Sequence, residues 1–205
     1  MNDKWLIGAD EVGTGALAGP LVTCAVAVPL GWRAPAGLND SKQLSKTARH
    51  ELYVVLEKLD FQLMMVTSKD IDSKGMGFAL NAAHVAAIKV MMSRYPGAAV
   101  IRDGDAPISI PGVRCIPKAD GIYPAVMAAS VIAKVNRDYV MRQYHMQYPE
   151  YRFDRNVGYG GGKDHTSGLK NYGVTPIHRR SFAPIKKLLR EGAWTWQPDP
   201  RRKSI

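Results

Sequence analysis

The sequence has few cysteines and no segment that looks built for secretion or for a membrane. Cys24 and Cys115 are its only cysteines, and neither has a His or a second Cys at metal-ligand spacing. Both lie in apolar runs, so we expect buried thiols in a reducing compartment. The N-terminus lacks the charged-then-apolar order of a signal peptide, and the apolar run 21–30 is too short to cross a bilayer. We therefore expect a cytoplasmic protein that does not enter a membrane.

Acidic residues are scarce relative to basic ones. The chain has 28 Lys and Arg against 18 Asp and Glu, which gives a formal net charge of +10. Such an excess on a small chain favours an anionic partner, with nucleic acid ahead of an acidic membrane surface. No Lys/Arg-rich amphipathic helix stands out, which lowers the membrane alternative. We expect a nucleic-acid partner and a monomer.

Apolar runs and helical spacing alternate along the chain. Short apolar, β-inclined runs predict strands at 5–7, 21–28, 61–67, 98–102 and 113–116. Helices are predicted from an N-cap at Ser45 to Leu56, over 73–95, and along a stripe formed by Ala128, Ile132, Val135 and Tyr139. This alternation predicts an α/β fold with a mixed central sheet of about five strands flanked by helices. We expect a single domain over 1–205, with a small C-terminal helical lobe at about 164–193 and a flexible tail at 194–205.

The most informative segment is residues 8–20, which read GADEVGTGALAGP. Two adjacent acids, Asp10 and Glu11, stand where the first buried strand is predicted to end. Because desolvated carboxylates repel each other, a bound metal ion is the simplest compensation. The glycines that follow allow the backbone to approach a bulky ligand closely. The alternative is an acidic hairpin turn, since Asp and Gly are common turn residues.

This segment closely resembles the first motif of the ribonuclease HII family, the type 2 ribonucleases H, and later segments resemble the family's other motifs. The further matches are NDSKQLS at 39–45, VIRDGD at 100–105, KAD at 118–120, AASVIAKV at 128–135, GY at 158–159 and PIHRRSF at 176–182. They occur in the family's order from about Leu6 to Leu189. The resemblance implies a ribonuclease H-like fold. It also implies an endonuclease that hydrolyses the RNA strand of RNA–DNA hybrids and leaves 3′-hydroxyl and 5′-phosphate ends. DNA duplexes that contain ribonucleotides are a further expected substrate.

Four acids are candidates for one catalytic and metal-binding site, namely Asp10, Glu11, Asp103 and Asp120. Asp10 and Asp103 both end predicted strands, and the resemblance gives all four positions the same role. Successive side chains of a strand point to opposite faces, so Glu11 can join the site only if the backbone turns there. Ligation by carboxylates alone suits Mg²⁺ or Mn²⁺, and two such ions are expected with substrate bound. Asp105 stands where the family has Asn and is left out of the set.

Substrate binding is assigned to Gly13, Thr14, Gly15, Lys42 and Tyr159. Backbone groups of the Gly-Thr-Gly loop can contact a 2′-hydroxyl, and Lys42 is a phosphate-binding candidate. Tyr159 resembles the family tyrosine that packs on the deoxyribose after a ribonucleotide; its alternative role is loop packing.

Three nearby assignments follow from the late motif and from Thr14. His178 is expected to make a structural hydrogen bond. Arg179 and Arg180 either extend the nucleic-acid track or cap the following helix. Ribonuclease HII normally has Arg where this chain has Thr14, whereas Gly-Thr-Gly occurs in ribonuclease HIII. The extra N-terminal domain usual in that class has no room ahead of Asp10, so we expect a type 2 architecture with a type 3-like loop.

Two other functions remain open at this point. A DNA-processing nuclease or integrase of the same fold would share the acids but would need no ribose sensor. A catalytically silent hybrid-binding module would keep the basic surface without the chemistry.

Overall fold

The computed structural model describes residues 4–197 as two compact units. The first takes in the chain up to Thr14 together with Leu21–Val66 and Met76–Arg137. The second takes in Gly15–Pro20, Thr67–Gly75 and the chain from Asp138 onward. The single-domain organisation stays a prediction.

The first unit is built on a mixed five-stranded sheet, as the sequence predicts. Its strands are β1 (Trp5–Val12), β2 (Leu21–Pro29), β3 (Phe61–Val66), β4 (Ala99–Asp103) and β5 (Val113–Ile116). Their order across the sheet is β3-β2-β1-β4-β5. The pairs β1–β2 and β2–β3 are antiparallel, whereas β1–β4 and β4–β5 are parallel. The long strand β1 therefore lies at the centre of the sheet, with the long strand β2 beside it.

Helices cover both faces of this sheet, and strand alternation decides which side chains meet them. On one face, α1 (Lys46–Leu56) and α4 (Pro124–Gln147) pack against β2. On the other face, α3 (Met76–Arg94) packs against β1 and β2. Helix α1 begins where predicted, because the Ser45 side chain accepts a hydrogen bond from the Ala48 N–H at 3.1 Å.

Helix α3 is long and apolar enough to cross a membrane, by length and composition only. Its residues Ala87, Ile88 and Met91 are fully buried in the core beneath the sheet. The core contact covers part of the helix, since 33% of its apolar window is buried.

Two predicted boundaries are wrong. Strand β1 does not end before Asp10 but continues to Val12, because Asp10, Glu11 and Val12 all remain paired with β2. The helix predicted over 73–95 is two helices, α2 (Ser68–Lys74) and α3, which are separated at Gly75. Thr67 caps the first of them by accepting a hydrogen bond from the Asp70 N–H.

The second unit contains α2, the end of α4, α5 (Phe153–Asn156), α6 (Lys163–Tyr172) and α7 (Ala183–Arg190). Its core is aromatic and aliphatic, with Tyr151, Phe153 and Ile185 fully buried. Helices α6 and α7 fall in the predicted C-terminal lobe. Thr195, in the predicted tail, forms an isolated bridge with Val174. Residues 198–205 of that tail lie outside the described residues, and the flexibility of the tail stays a prediction.

Helix α4 approaches the sheet very closely at Gly8. A Cβ atom added at Gly8 would lie 2.3 Å from the backbone carbon of Ala125 and 2.5 Å from its oxygen. We predict that Gly8→Ala lowers the free energy of unfolding by about 3 kcal/mol, because helix α4 must move off the sheet. Chemical denaturation of the purified variant measures this change.

Gly77→Ala is the matched control, since no atom lies within 4 Å of a Cβ added at Gly77 in α3. Alanine is the better helix former, so this variant should gain about 0.5–1 kcal/mol. Equal stability of the two variants would contradict the close packing of α4 on β1.

Candidate active site

Two of the predicted carboxylates lie on neighbouring parallel strands. Ala9 of β1 pairs with Arg102 of β4, so the residues that follow them, Asp10 and Asp103, lie side by side. Asp120 lies in a short 3-10 turn, Ala119–Gly121, just ahead of α4. The Ala119 N–H donates to Asp103 Oδ1 at 2.7 Å and ties this turn to the end of β4. The structure thus brings Asp10, Asp103 and Asp120 into one region.

Asp10 is buried with its charge largely uncompensated. Only 3% of the Asp10 surface is exposed to solvent. Its Oδ1 accepts the Glu11 N–H at 2.7 Å, whereas Oδ2 has no hydrogen-bond partner among the described residues. The nearby Ser130 hydroxyl donates instead to Ser41 Oγ at 2.9 Å. Burial raises the pKa of Asp10 well above its usual range, and repulsion from Glu11 and Asp103 adds to the shift, although the hydrogen bond from the Glu11 N–H opposes it.

Glu11 points to the other face of β1, because the strand continues past it without a turn. There its Oε2 lies 2.8 Å from Nε2 of His84 in α3. Burial lowers the pKa of His84, despite the opposing effect of Glu11. We therefore take His84 as a neutral ring that donates its Nε2 proton to the carboxylate. The backbone turn on which the placement of Glu11 beside the other acids depends is absent at Glu11, because the strand runs on to Val12 and the turn follows at Thr14 and Gly15.

Lys42 provides positive charge beside the acids. Its Nζ lies 3.4 Å from Asp120 Oδ2, and the Lys42 side chain is 72% exposed. Partial burial disfavours the charged ammonium, but the carboxylates of Asp40, Asp10 and Asp120 outweigh it and raise the pKa of Lys42. Burial and repulsion from Asp103 and Asp40 raise the pKa of Asp120, against the effect of Lys42.

The residues of this region fit a hard divalent cation. The donors are carboxylates, and a buried carboxylate oxygen of Asp10 is unsatisfied. Over residues 4–197, no three His, Cys, Asp or Glu side chains are yet converged at metal-ligand distances. The acids are therefore adjacent but not gathered around one point. Asp105 is exposed, in keeping with its omission from the set.

The Gly-Thr-Gly loop begins with a glycine that no other residue could replace without strain. Gly13 is buried with φ 94°, and an added Cβ would lie 2.3 Å from Nε of Arg137. Arg137 is itself fully buried. Thr14 is half-buried and Gly15 is exposed, with no atom within 4 Å of a Cβ added to Gly15. The backbone at Gly15 is thus open to a ligand.

Tyr159 lies in the second unit, with 37% of the residue exposed. Its N–H donates to the Asn156 carbonyl at 2.9 Å, and its carbonyl accepts from Nδ1 of His165 at 3.0 Å. The expected structural hydrogen bond of His178 is present, since its Nε2 lies 2.9 Å from Nε2 of His165.

The two arginines of the late motif differ from each other. Arg179 is fully buried, so the prediction that it belongs to a surface nucleic-acid track is wrong. Its Nε donates to the Gly19 carbonyl at 3.1 Å, and its guanidinium lies over the Phe182 ring. Arg180 is exposed, and its backbone N–H donates to Asp72 Oδ2 at 2.8 Å.

Sequence reasoning missed His84, Ser130 and Arg137. For His84 a signal was available: the residue falls on the buried stripe of α3 with Ala83, Ala87 and Ile88. A histidine on such a stripe needs a polar partner. Ser130 and Arg137 gave no comparable signal, because their contacts are set by how closely α4 packs on β1.

Comparison with known proteins settles the family. A sequence profile described as Ribonuclease HII matches residues 7–185. This chain belongs to the ribonuclease HII family. The ribonuclease HII of Pediococcus pentosaceus is 41% identical over 186 residues, which cover 89% of this chain and 71% of that protein. Members of the family are hydrolytic endoribonucleases, and this chain is therefore an enzyme of that class.

Solved structures confirm the ribonuclease H-like fold. The ribonuclease H2 of Pyrococcus horikoshii OT3 superposes with a TM-score of 0.72 at 26% identity, and covers 91% of this chain and 98% of its own. Bst-RNase HIII, crystallised with Mn²⁺, has a TM-score of 0.65 at 22% identity over 92% of this chain and 70% of its own. The likeness of the Gly-Thr-Gly loop to ribonuclease HIII stays a prediction.

The first test of this site is Asp10→Asn. Because Asn removes a buried, repelled charge while keeping the shape, the free energy of unfolding at pH 7 should rise by about 1 kcal/mol. Cleavage of an RNA–DNA hybrid should fall about 10³-fold or more, since a metal ligand contributes several kcal/mol to the transition state. Denaturation curves and single-turnover cleavage measure the two effects.

Asp105→Asn is the control, with an exposed acid close to Asp103 in sequence. It should leave the cleavage rate within about twofold, and the free energy of unfolding within about 0.5 kcal/mol, of the parent values, as is usual for surface changes. A loss like that of Asp10→Asn would show that the metal cluster is misplaced.

Proposed function

We propose that this chain hydrolyses the RNA strand of RNA–DNA hybrids in a metal-dependent reaction that leaves 3′-hydroxyl and 5′-phosphate ends. The observation that carries the proposal is the buried Asp10 carboxylate, unsatisfied at Oδ2 and set beside Asp103 and near Asp120. Such a cluster is electrostatically unfavourable until a cation compensates it. Membership of the ribonuclease HII family supports this assignment.

Asp10, Asp103 and Asp120 would hold two Mg²⁺ or Mn²⁺ ions, and Glu11 would complete this set once its carboxylate leaves His84 and turns toward them. When bound, these ions would activate a water and stabilise the leaving oxygen of an in-line displacement. The Mn²⁺ complex of Bst-RNase HIII, a protein of the same fold, supports this choice of ion. Within the chain, the Ala119 N–H orients Asp103, whereas His84 holds Glu11 on the α3 side of the sheet. Asp103 is thus held by a hydrogen bond before a metal binds.

Substrate recognition is assigned to Gly13, Thr14, Gly15, Lys42 and Tyr159. Backbone groups of Gly13, Thr14 and Gly15 would contact 2′-hydroxyls. The exposed ammonium of Lys42 would bind a phosphate, and the exposed ring of Tyr159 would pack on a deoxyribose. The net charge of +10 favours such a polyanionic partner. We also propose that the enzyme acts as a cytoplasmic monomer.

The proposal is tested with three labelled duplexes, an RNA–DNA hybrid, duplex DNA and duplex RNA, each in Mg²⁺, in Mn²⁺ and in EDTA. We expect cleavage of the hybrid alone, only with metal, and products whose 5′ ends carry phosphate. Asp10→Asn serves as the inactive control. Equal cleavage of duplex DNA would favour the DNA-processing alternative, and tight binding of hybrid without cleavage would favour a silent binding module.

A further prediction concerns Thr14. Arginine at this position would offer a cationic fork to a neighbouring phosphate, whereas threonine offers a single short hydroxyl. A lone ribonucleotide in duplex DNA presents one 2′-hydroxyl and depends more on such contacts than a run of ribonucleotides does. We therefore expect a lower kcat/KM at single embedded ribonucleotides than on long hybrids. Thr14→Arg should reduce the ratio between these two kcat/KM values about tenfold, which corresponds to one charge-assisted contact.

Thr14→Ser is the matched control, because it keeps the hydroxyl and should keep the gap. Comparison of kcat/KM on the two substrates measures the effect. Equal rates of the parent enzyme on both would overturn this account of the loop.

A further inference from the structure

A chain of hydrogen bonds through two buried histidines ends on the backbone of Tyr159. The Thr175 N–H donates to His178 Nδ1 at 3.0 Å, and the Thr175 hydroxyl lies 2.8 Å from the same nitrogen. His178 Nε2 lies 2.9 Å from His165 Nε2. His165 Nδ1 then lies 3.0 Å from the Tyr159 carbonyl. Every ring nitrogen of the pair has a partner.

This chain of bonds leaves each ring a single arrangement of its proton. His178 Nδ1 accepts the Thr175 N–H, so the proton of a neutral His178 lies on Nε2 and is donated to His165. His165 Nε2 therefore accepts, and the proton of His165 lies on Nδ1, where it is donated to the Tyr159 carbonyl. The direction of donation runs from the core to the loop.

The environment keeps both rings neutral and fixed. His165 is fully buried and His178 is 1% exposed, and both rings pack against the stacked rings of Tyr151 and Phe153. Burial lowers the pKa of His178 to about 3, with a smaller contribution from His165. Burial likewise lowers the pKa of His165. Two packed, neutral imidazoles form a rigid support.

The segment that they support consists largely of glycine. Gly158 precedes Tyr159, and Gly160, Gly161 and Gly162 follow it. On the N-terminal side, the Gly158 carbonyl accepts the Leu17 N–H at 2.8 Å, and the Gly158 N–H donates to Asn156 Oδ1 at 2.9 Å. On the C-terminal side, the three glycines have no side chains with which to anchor the loop. The bond from His165 holds the Tyr159 carbonyl at this weak point.

We propose that His165 and His178 are positioning residues for Tyr159, which set the direction of its exposed ring and so determine how well the enzyme engages the step from ribose to deoxyribose. The inference rests on the proposed substrate contact of Tyr159. It gives the histidine pair a role in substrate selection in addition to its place in the core.

Two substitutions at His165 separate this role from packing. In His165→Asn the amide nitrogen stands near the place of Nδ1 and can still donate to the Tyr159 carbonyl. In His165→Gln the amide stands near the place of Nε2, so the bond to His178 can persist while the bond to Tyr159 is lost. His178→Asn is the second variant, because its amide stands near the place of Nδ1, so the bond to Thr175 can persist while the donation to His165 Nε2 is lost.

The measurement is the ratio of kcat/KM on a duplex with one ribonucleotide to kcat/KM on a long hybrid. We expect this ratio to fall about tenfold in Tyr159→Ala and equally in His165→Gln, with no further fall in the double variant, because both changes remove one contact. His165→Asn should stay within about twofold of the parent. Amide exchange of residues 158–162 should quicken in His165→Gln and not in His165→Asn.

Other outcomes overturn the proposal. Equal losses on both substrates in His165→Gln, or additive losses in the double variant, would reduce the pair to a packing role. Unchanged amide exchange of residues 158–162 in a folded His165→Gln or His178→Asn would also refute it. An unchanged ratio in Tyr159→Ala, with hybrid cleavage intact, would remove the Tyr159 contact on which it rests. Absence of hybrid cleavage in the parent would refute the proposed function itself, whereas amide exchange would still test the support of the loop.

Discussion

The contact between Gly8 and the backbone of Ala125 is the constraint on which the active-site region depends. It lets α4 lie against β1 with no side chain in between. Ser130 and Arg137 follow on the same helix, and Asp120 lies just ahead of it. Their positions beside Asp10 and Gly13 are therefore consequences of one close approach between backbones. Small residues along α4, such as Ala128 and Ala129, continue the same tight layer.

A second constraint comes from the alternation of side chains along β1. Asp10 and Glu11 cannot share one environment, because adjacent residues of a strand face opposite helices. Each acid therefore has its own support, with Ser130 near Asp10 on the α4 side and His84 bound to Glu11 on the α3 side. Asp10 and Glu11 therefore lie on opposite faces of the sheet. Asp103 influences groups on both faces, since its charge raises the pKa values of both Asp10 and His84.

Much of this fold could be predicted from sequence, because apolar runs and caps are local signals. The Ser45 cap, the five strands and the side-by-side placement of Asp10 and Asp103 are of this kind. The end of β1 could not be predicted, since it depends on pairing with β2, and turn-forming glycines nearby suggested an earlier end. The burial of Arg179 could not be predicted from the sequence for a similar reason, because its partner is the backbone carbonyl of Gly19, which lies far away in sequence. Ordered motifs identified the acids, but not the groups that hold them.

The pairing of β1 with β2 also places Cys24 directly opposite Asp10. Burial raises the pKa of the Cys24 thiol well above its ordinary value, and the charge of Asp10 adds to the shift. Peroxides and alkylating reagents attack the thiolate, and this neighbour keeps the thiolate scarce. Burial, reinforced by the charge of Asp10, thus shields the Cys24 sulfur from oxidation. Cys115 is half-buried, so the prediction of a buried thiol is wrong for this residue, and Cys115 offers a single attachment point for a spectroscopic label.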